Sequence, residues 1–341
     1  MAVAHEEIHE LHDHHVEAQA PLGRRLAAEF VGTLLFVAVG TGAATVLALG
    51  PLQRIGGLSD ILQQAPDQDR VFSALLANSV GDVLTVALAF AFALTFLVYA
   101  FGGVSGAHFN PAVTFALAIA RRFKWGELPF YWIAQLLGGI AGAFVVAGIY
   151  KDAGAATAGT DIMFGATVVA ESVGEWNAIL SEAFIAFVLM TAIMAVAIDH
   201  RAPKGWSGLV IGLSLAAGIL VTAEATGGSA NFARSLGPFV ASLLFDVENI
   251  PWKDLIVYAA GPLIGAAAAA FLYETLTGLE PAAPSPEPGA ATHDELLHEH
   301  SGAAGTVTTR GTATTTDTGS SIPPGLAPTG DDPQPPPAPK Q

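Results

Sequence analysis

The chain contains no cysteine, and few of its residues are charged. Its 341 residues are 13% charged, about half of the roughly 25% found in an ordinary soluble domain. Without cysteine the chain cannot form disulfides, use a catalytic thiol or bind a metal through sulfur. Hydrophobic residues make up 52% of it. This composition indicates an integral membrane protein.

Basic residues are the scarcer of the charged types. Fourteen Lys and Arg stand against 30 Asp and Glu, which gives a formal net charge of −16. This balance excludes a nucleic-acid binder that works by neutralising phosphates. Much of the acidity lies in residues 1–22 and 277–341, which lack long apolar runs and are predicted to be disordered tails. The first twenty residues also lack the basic and apolar pattern of a secretory signal.

Six apolar stretches are long enough to cross a bilayer as helices, which takes about 20 residues. They cover 26–49, 80–101, 129–150, 178–198, 206–223 and 255–274. Two shorter stretches, 110–120 and 231–244, follow segments rich in small residues and are too short to cross. We therefore predict an all-α membrane protein with six transmembrane helices and two re-entrant half-helices. The segment 51–79, between the first two spans, is interpreted as a long outer loop.

Basic residues cluster at alternate ends of the spans. By the positive-inside rule they mark the cytoplasmic face and place both termini in the cytoplasm of a multi-pass protein. The residues are Arg24, Arg25, Arg121, Arg122, Lys124, Arg201 and Lys204.

The two halves of the apolar region have the same organisation. Each contains a span with one acid (Glu29 or Glu182), a second span, a Gly/Ser-rich loop, an Asn-x-Ala sequence and a third span. An odd number of crossings per half makes the second half inverted, and such repeats place a shared site at the membrane midplane. We predict a channel domain over 23–276, with repeats at about 24–151 and 178–276.

The loop sequences resemble those of the aquaporin, or major intrinsic protein, family. The two signature loops correspond to SGAHFNPAV (Ser105–Val113) and SANFARSLGP (Ser229–Pro238). The sequences AEFVGT, IGLS and GPLIGA in the first, fifth and sixth spans, and Gln135 in the third, fit the same pattern. The resemblance covers about 24–276. It implies an hourglass fold, a homotetramer in the cell membrane and a pore for water or small neutral solutes, with no cofactor or metal.

Two asparagines are the leading candidates for the pore site. Asn110 and Asn231 stand where helix N-caps belong, and a capped N-terminus carries about half a positive charge from the helix dipole. Two such ends at mid-membrane, with amide N–H groups that donate to a passing water, would exclude cations and protons. The remaining motif positions are Pro111, Ala112, Phe232 and Ala233, and Phe232 departs from the family's proline. We expect Phe232 to contact Pro111 and conduction to survive.

Arg234 is the candidate for the selectivity filter, since an arginine inside a membrane is costly and functional by default. The resemblance adds Phe90, Ile219 and Gly228 as the other filter positions. This combination lies between those of strict water channels and glycerol facilitators. Ser235 favours the water branch, Tyr258 fits it, and Ala259 departs from the usual tryptophan. The resemblance also implies that Glu29 and Glu182 accept backbone N–H bonds from the two loops.

The histidines of the tails raise a separate hypothesis. His5, His9 and His12 would share a helix face near acidic residues, which suggests metal or pH regulation beside the simpler reading of incidental histidines. His108, beside the first motif, belongs to the family pattern and is assigned no gating role.

We predict a passive water channel that also admits small neutral solutes. The alternatives are a glycerol-type facilitator and a closed-pore membrane scaffold. A coupled transporter would need ionisable groups free to change charge along the path. The apolar region has no nucleophile–base pair, phosphate loop or metal cluster, so we predict no enzymatic activity.

Overall fold

The computed structural model describes residues 20–64, 68–157, 160–161, 163–245 and 247–279. The two predicted tails, including their histidines, lie almost entirely outside these residues. The described helices and strands follow here in chain order. They are α1 (Leu22–Gln64), α2 (Gln68–Ser105), α3 (Pro111–Ile119), α4 (Leu128–Tyr150), α5 (Asp152–Ala155), β1 (Ala156–Thr157), β2 (Thr160–Asp161), α6 (Glu175–Ile193), α7 (Ser207–Thr226), α8 (Phe232–Ser242) and α9 (Leu255–Thr277).

Short helical turns complete the backbone. A π-helical turn, Met194–Ile198, continues α6, and 3₁₀ turns cover Met163–Gly165, Leu243–Phe245 and Trp252–Asp254. The two strands hold two residues each and pair antiparallel, with Ala156 opposite Asp161. They form a small turn between α5 and α6 and do not change the all-helical character of the domain.

Six helical segments are long and apolar enough to span a membrane. They cover Leu22–Leu49, Asp82–Ser105, Leu128–Tyr150, Glu175–Ile198, Ser207–Thr226 and Trp252–Thr277. Each agrees within a few residues with a span predicted from the sequence. The half-helices predicted at 110–120 and 231–244 correspond to α3 and α8. The predicted fold class is confirmed.

The packing of the helices repeats between the two halves. In the first half α1 packs on α2 and α4, and in the second half α6 packs on α7 and α9. Each half-helix crosses to the other half, so that α3 packs on α9 and α8 packs on α4. Helices α2 and α7 form the remaining large contact between the halves. This exchange brings α3 and α8 together in the middle of the domain.

The segment 51–79 was predicted to be a loop, and this prediction is wrong. Its backbone is helical over 51–64, as the continuation of α1, and from 68 onwards as the beginning of α2. Extending an existing helix adds one hydrogen bond for each residue fixed, so the spans propagate outwards without a new nucleation cost. The apolar residues of this segment also follow a helical spacing of three to four, at Leu52, Ile55, Leu58 and Leu62. This pattern outweighs the helix-breaking tendency of the local Pro and Gly.

Close approach of α4 and α8 depends on two glycines. A Cβ added to Gly139 would lie 2.4 Å from the Ala233 oxygen, and one added to Gly237 would lie 2.3 Å from the Gly139 oxygen. Neither distance is compatible with a side chain, so the absence of a Cβ lets the second half-helix lie directly against the third span. The position of the Asn231 motif in the membrane therefore depends on this contact.

Four basic side chains, Arg24, Arg25, Arg122 and Lys204, line one cavity of the helical domain, and the end of the domain that carries them is called here the basic face. Arg201 lies in the same loop as Lys204. Arg25, at the start of α1, makes an ion pair with Glu127 and donates to the Tyr131 hydroxyl at 3.0 Å. Arg201 Nη1 donates at 3.2 Å to the backbone oxygen of Thr277, the last residue of α9. These contacts tie the start of α1 to the start of α4, and the segment before α7 to the end of α9.

Candidate pore

Glu29 holds the first signature loop in place. Its Oε1 accepts from the Ser105 hydroxyl at 2.6 Å and from the His108 backbone N–H at 3.0 Å. Its Oε2 accepts from the Phe109 backbone N–H at 2.7 Å and from Gln135 Nε2 at 2.8 Å. Four donors satisfy this buried carboxylate. The carboxylate in turn accepts from two backbone N–H groups of the loop, where the backbone leaves regular structure. This geometry fits a scaffolding role.

Glu182 does the same for the second signature loop. Its Oε1 accepts from the Thr226 hydroxyl at 2.6 Å and from the Ser229 backbone N–H at 2.9 Å. Its Oε2 accepts from the Ala230 backbone N–H at 2.7 Å. The two acids therefore occupy matching places in the two halves, and each fixes the loop that leads into a half-helix.

The two pore asparagines lie at the point where the half-helices meet. Asn110 Oδ1 accepts from the Ala112 N–H at 2.9 Å, and Asn231 Oδ1 accepts from the Ala233 N–H at 3.0 Å, so each caps its own helix. Each Nδ2 donates across the junction at 2.8 Å, from Asn110 to the Ala230 oxygen and from Asn231 to the Phe109 oxygen. An amide has two N–H donors, which leaves the second one of each asparagine for another acceptor.

A cavity of about 1290 Å³ leads from the basic face to these asparagines. Its outer end is lined by basic side chains and its middle by apolar residues of five helices. The basic residues are Arg24, Arg25, Arg122 and Lys204. The apolar residues include Phe36, Leu94, Val113, Leu117, Leu189, Ile211 and Leu215. Both Asn110 and Asn231 belong to its inner end. The predicted pore asparagines therefore face a continuous cavity.

The predicted filter residues lie beyond this cavity and are tightly packed. The Arg234 guanidinium stands 4.8 Å from the centre of the Phe90 ring, and both residues are almost fully buried. Gly228 lies against Ile219, since a Cβ on Gly228 would stand 3.2 Å from the Ile219 Cα. The four predicted residues thus form two contacting pairs, Arg234 with Phe90 and Gly228 with Ile219. None of the four lines the large cavity.

Gly228 has a backbone conformation that a side chain would strain. Its φ is +60°, and an added Cβ would also stand 3.0 Å from the Thr222 hydroxyl oxygen. Glycine reaches this left-handed region without steric cost. A bulky residue here would disturb the loop as well as the path, so a blocking variant belongs elsewhere in the pore.

Phe232 faces away from the cavity. Together with Pro111 it lines a separate side pocket of about 180 Å³ between α4 and α9, and neither residue lines the large cavity. The expectation that Phe232 contacts Pro111 stays a prediction, although both rings border the same pocket. The replacement of proline by phenylalanine therefore changes this pocket and leaves the Asn231 amide in the cavity.

Comparison with known proteins agrees with this geometry. The family described as Major intrinsic protein matches residues 17–273, which is most of the chain. The chain belongs to the major intrinsic protein family. Aquaporin AqpM of Methanothermobacter marburgensis is 39% identical over 259 residues, covering 75% of this chain and 98% of that protein. Glycerol uptake facilitator protein-like 6 of Lactiplantibacillus plantarum is 32% identical over 252 residues, covering 73% and 95%.

A solved structure shows the same fold. The aquaglyceroporin from Plasmodium falciparum superposes with a TM-score of 0.58 at 22% sequence identity, covering 75% of this chain and 97% of that one. At this identity the likeness concerns the fold of the family and leaves the solutes of this member open.

In this member of the family, several residues that support Arg234 and its loop were not predicted to do so. Arg234 Nη1 donates to the Gly165 oxygen at 3.0 Å. The hydroxyl oxygens of Thr167 and Ser235 are 2.7 Å apart, and those of Ser235 and Ser229 are 2.6 Å apart. Gly165 and Thr167 lie in the irregular segment before α6, where no motif marks them. Ser229 and Ser235 lie inside the second signature loop. Their closeness to Arg234 in the sequence is the signal that could have identified them as its supports.

His108 lines the cavity near the basic face. Its ring Nδ1 is 3.1 Å from the Thr114 hydroxyl, and its ring packs 5.1 Å from Phe123 and 5.3 Å from Tyr131, between ring centres. Among the residues that the structure describes, no group of three or more His, Asp or Glu side chains is arranged to hold a metal ion. The metal hypothesis for the tail histidines falls outside that part of the chain.

Proposed function

We propose that the chain forms a passive membrane pore that conducts water and admits small neutral solutes while excluding protons and ions. The relatives named aquaporin and glycerol uptake facilitator support this proposal. Asn110, Asn231 and Arg234 would act on the permeating molecule. Glu29 and Glu182 would hold the loops that carry them.

The observation that carries the proposal is the arrangement of the two asparagines at the inner end of the cavity. Both half-helices point their N-termini at this junction, and helix dipoles there add positive potential. Each asparagine retains one amide N–H beyond its cross-junction bond, which fits a water oxygen and orients its hydrogens outwards. A chain of waters interrupted in this way cannot relay protons, and the potential repels cations.

We expect the filter to pass water faster than other solutes without excluding small neutral ones. The Phe90 ring and the Arg234 guanidinium provide an apolar wall and hydrogen-bond donors, a combination that also suits the alkyl and hydroxyl groups of a polyol. Ile219 supplies no polar group, and Gly228 supplies no side chain. A glycerol-type facilitator is the second candidate, and these two residues are what favour it.

The test is stopped-flow light scattering on proteoliposomes, with a blocking variant chosen from the cavity wall. Leu215 is 2% exposed and lines the cavity, whereas Leu213 on the same helix is 47% exposed. We expect the wild type to shrink in sucrose well above the rate of empty liposomes. Leu215→Trp should reduce that rate towards the empty-liposome value, and the matched control Leu213→Trp should leave it unchanged.

Glycerol shocks separate the candidate functions. Re-swelling after a glycerol shock at a rate below that of water supports the relaxed water pore, and glycerol flux that exceeds water flux favours the facilitator. Wild-type protein that is folded and yet no faster than empty liposomes would overturn the pore and favour the closed scaffold. Equal rates for both tryptophan variants would place the path outside this cavity.

We further propose a homotetramer in the cell membrane, with both termini cytoplasmic and a channel domain over 23–276 between the two tails. The resemblance supports the tetramer, and the alternation of basic residues supports the orientation. The mass of the protein in detergent, corrected for bound detergent, tests the tetramer. Protease accessibility of the termini in sealed inside-out vesicles tests the orientation.

A further inference from the structure

We propose that the side pocket between α4 and α9 is a lipid site that holds the methyl end of an acyl chain of the surrounding bilayer. The pocket has a volume of about 180 Å³. It is lined by Pro111, Ala112, Trp132, Leu136, Phe232, Tyr258, Ala259, Pro262 and Leu263. This site is separate from the pore, so the proposal does not depend on conduction.

The side chains of the pocket offer water no free N–H or O–H donor. Only two of the lining side chains carry a polar atom, and both atoms are engaged elsewhere. Trp132 Nε1 donates to the Pro111 oxygen at 3.0 Å, and the Tyr258 hydroxyl donates to the Thr226 oxygen at 2.8 Å. Apolar cavities of about 150 Å³ remain dry and take up apolar guests such as benzene or xenon. The pocket therefore selects an apolar occupant.

The depth of the pocket matches the ends of acyl chains. Its wall includes the first residue of each half-helix, Pro111 and Phe232. With nine and eleven residues, α3 and α8 reach about 14 and 17 Å at about 1.5 Å per residue. Each length is about half of a hydrocarbon core of about 30 Å. The half-helices therefore begin near the midplane, where the chain methyl groups lie.

Residues of α3, α4, α8 and α9 line the pocket, and α3 packs on α9 as α8 packs on α4. We infer that the open side of the pocket faces the lipid. Exposed apolar side chains flank the pocket on α4 and α9. They are Ile133 and Leu137 on α4 and Ile264 on α9, with exposed fractions of 55%, 54% and 58%. Acyl chains are the medium that contacts these side chains in a membrane.

Small residues and the turned-out Phe232 together shape the site. Ala259 contributes only a methyl group to the wall, so the space beside it remains open. Phe232 is half-buried and lines the same pocket. A larger side chain at position 259 would occupy the place of the chain end without reaching the pore.

The test measures quenching of Trp132 by brominated phosphatidylcholine in reconstituted vesicles. The Trp132 signal is the difference between each protein and its Trp132→Phe counterpart. Bromine is placed either near the end of the acyl chain or near the headgroup. We expect chain-end bromine to quench Trp132 more strongly than headgroup-proximal bromine. Ala259→Phe should abolish that quenching and Ala259→Leu should reduce it, whereas the control Ile264→Phe, on the lipid face outside the pocket, should preserve it.

Two outcomes would overturn the proposal. Unchanged chain-end quenching in folded Ala259→Phe and Ala259→Leu would mean that bromine reaches Trp132 from the general lipid face. Xenon density in the pocket of crystals grown in short-chain detergent, together with that unchanged quenching, would mean a dry void that acyl chains do not enter. Acyl-chain density in the pocket of protein in lipid nanodiscs, absent in Ala259→Phe, would support the site by a second route.

Discussion

Asn110 and Asn231 tie the two half-helices together through reciprocal hydrogen bonds of equal length. The amide of each donates at 2.8 Å to the backbone oxygen of the residue that precedes the other asparagine. Each asparagine thus caps its own helix, bonds the opposite loop and retains one donor for the cavity. Three tasks in one side chain explain why the residue type is the same at both positions.

The cross-junction bond can be removed while the cap is kept. Serine is as good an N-cap as asparagine, but its short hydroxyl cannot reach the Phe109 oxygen from position 231. We expect Asn231→Ser to lower the free energy of unfolding by about 1–3 kcal/mol, since a buried carbonyl loses its partner. Water permeability should also fall, because the proposed donor to the permeating water is lost. Thermal unfolding in detergent and stopped-flow scattering measure the two effects.

The matched control is Asn177→Ser, an exposed position in the first turn of α6. Serine and asparagine have similar helix propensities, so stability and permeability should remain those of the wild type. An Asn231→Ser protein as stable and as permeable as the wild type would contradict the account of the reciprocal bonds.

The buried acids support a second prediction. In Glu182→Gln one carboxylate oxygen is replaced by an NH₂ group, which faces the backbone N–H of either Ser229 or Ala230 and cannot accept from it. We expect the free energy of unfolding to fall by about 1–3 kcal/mol, the cost of an unsatisfied buried donor. Glu224→Gln, an exposed carboxylate on α7, is the control. Equal unfolding midpoints for the two variants would show that Glu182 contributes nothing through these bonds.

Much of the fold followed from the sequence because its signals are strong and local. Runs of about 20 apolar residues identify spanning helices, and the repeated Asn-x-Ala loops identify the half-helices. The Glu29 and Glu182 positions could be singled out because a charge in a membrane is costly unless it is bonded. These signals do not depend on distant contacts.

What the sequence could not predict depends on contacts across the fold. The Gly165 carbonyl supports Arg234 from a segment without any motif. Phe232 lines the same pocket as Ala259 on α9, which is distant in sequence. The helical backbone of 51–64 agrees with a spacing of three to four between its apolar residues, a local signal that the interpretation of 51–79 as a loop did not use.

The proposed filter supports a third prediction. Replacing the Phe90 ring in Phe90→Leu removes the group that packs against Arg234 and would widen the proposed filter. We expect the ratio of glycerol to water permeability to rise by about tenfold, the effect of about one methylene in a fitted pocket. Phe92→Leu changes a ring that is 62% exposed on the same helix and should leave the ratio unchanged. A ratio that stays constant in both variants would remove Phe90 from the filter.

The contact of α4 with α8 supports a fourth prediction, in which two glycines of one helix are compared. Gly139→Ala would place a Cβ 2.4 Å from the Ala233 oxygen, whereas Gly148→Ala meets nothing within 4 Å. We expect Gly139→Ala to cost about 1–3 kcal/mol through overpacking. Gly148→Ala should be neutral or stabilising by about 0.5–1 kcal/mol, since alanine favours the helix. Thermal unfolding in detergent compares the stabilities of the two variants. A Gly139→Ala protein more stable than Gly148→Ala would contradict the close approach of α4 and α8.

An ion pair on the basic face makes part of the stability dependent on pH. Arg201 donates to both carboxylate oxygens of Asp199, from Nε at 2.8 Å and from Nη2 at 2.6 Å. The Tyr273 hydroxyl donates to the same carboxylate at 2.9 Å. These hydrogen bonds, that of the Arg201 side chain above all, hold the pKa of Asp199 well below its usual range.

A depressed carboxyl pKa stabilises the folded state above the pKa of the unfolded chain, which is about 3.9 for aspartate. The stabilisation is lost as the pH falls through the lower, folded-state value. We therefore expect Asp199→Asn to unfold at a lower temperature than the wild type at pH 7, and the two midpoints to converge below about pH 4. Glu171→Gln, an exposed carboxylate outside this network, should follow the wild type at neutral pH. A difference between Asp199→Asn and the wild type that stays constant down to acid pH would assign the effect to packing instead of charge.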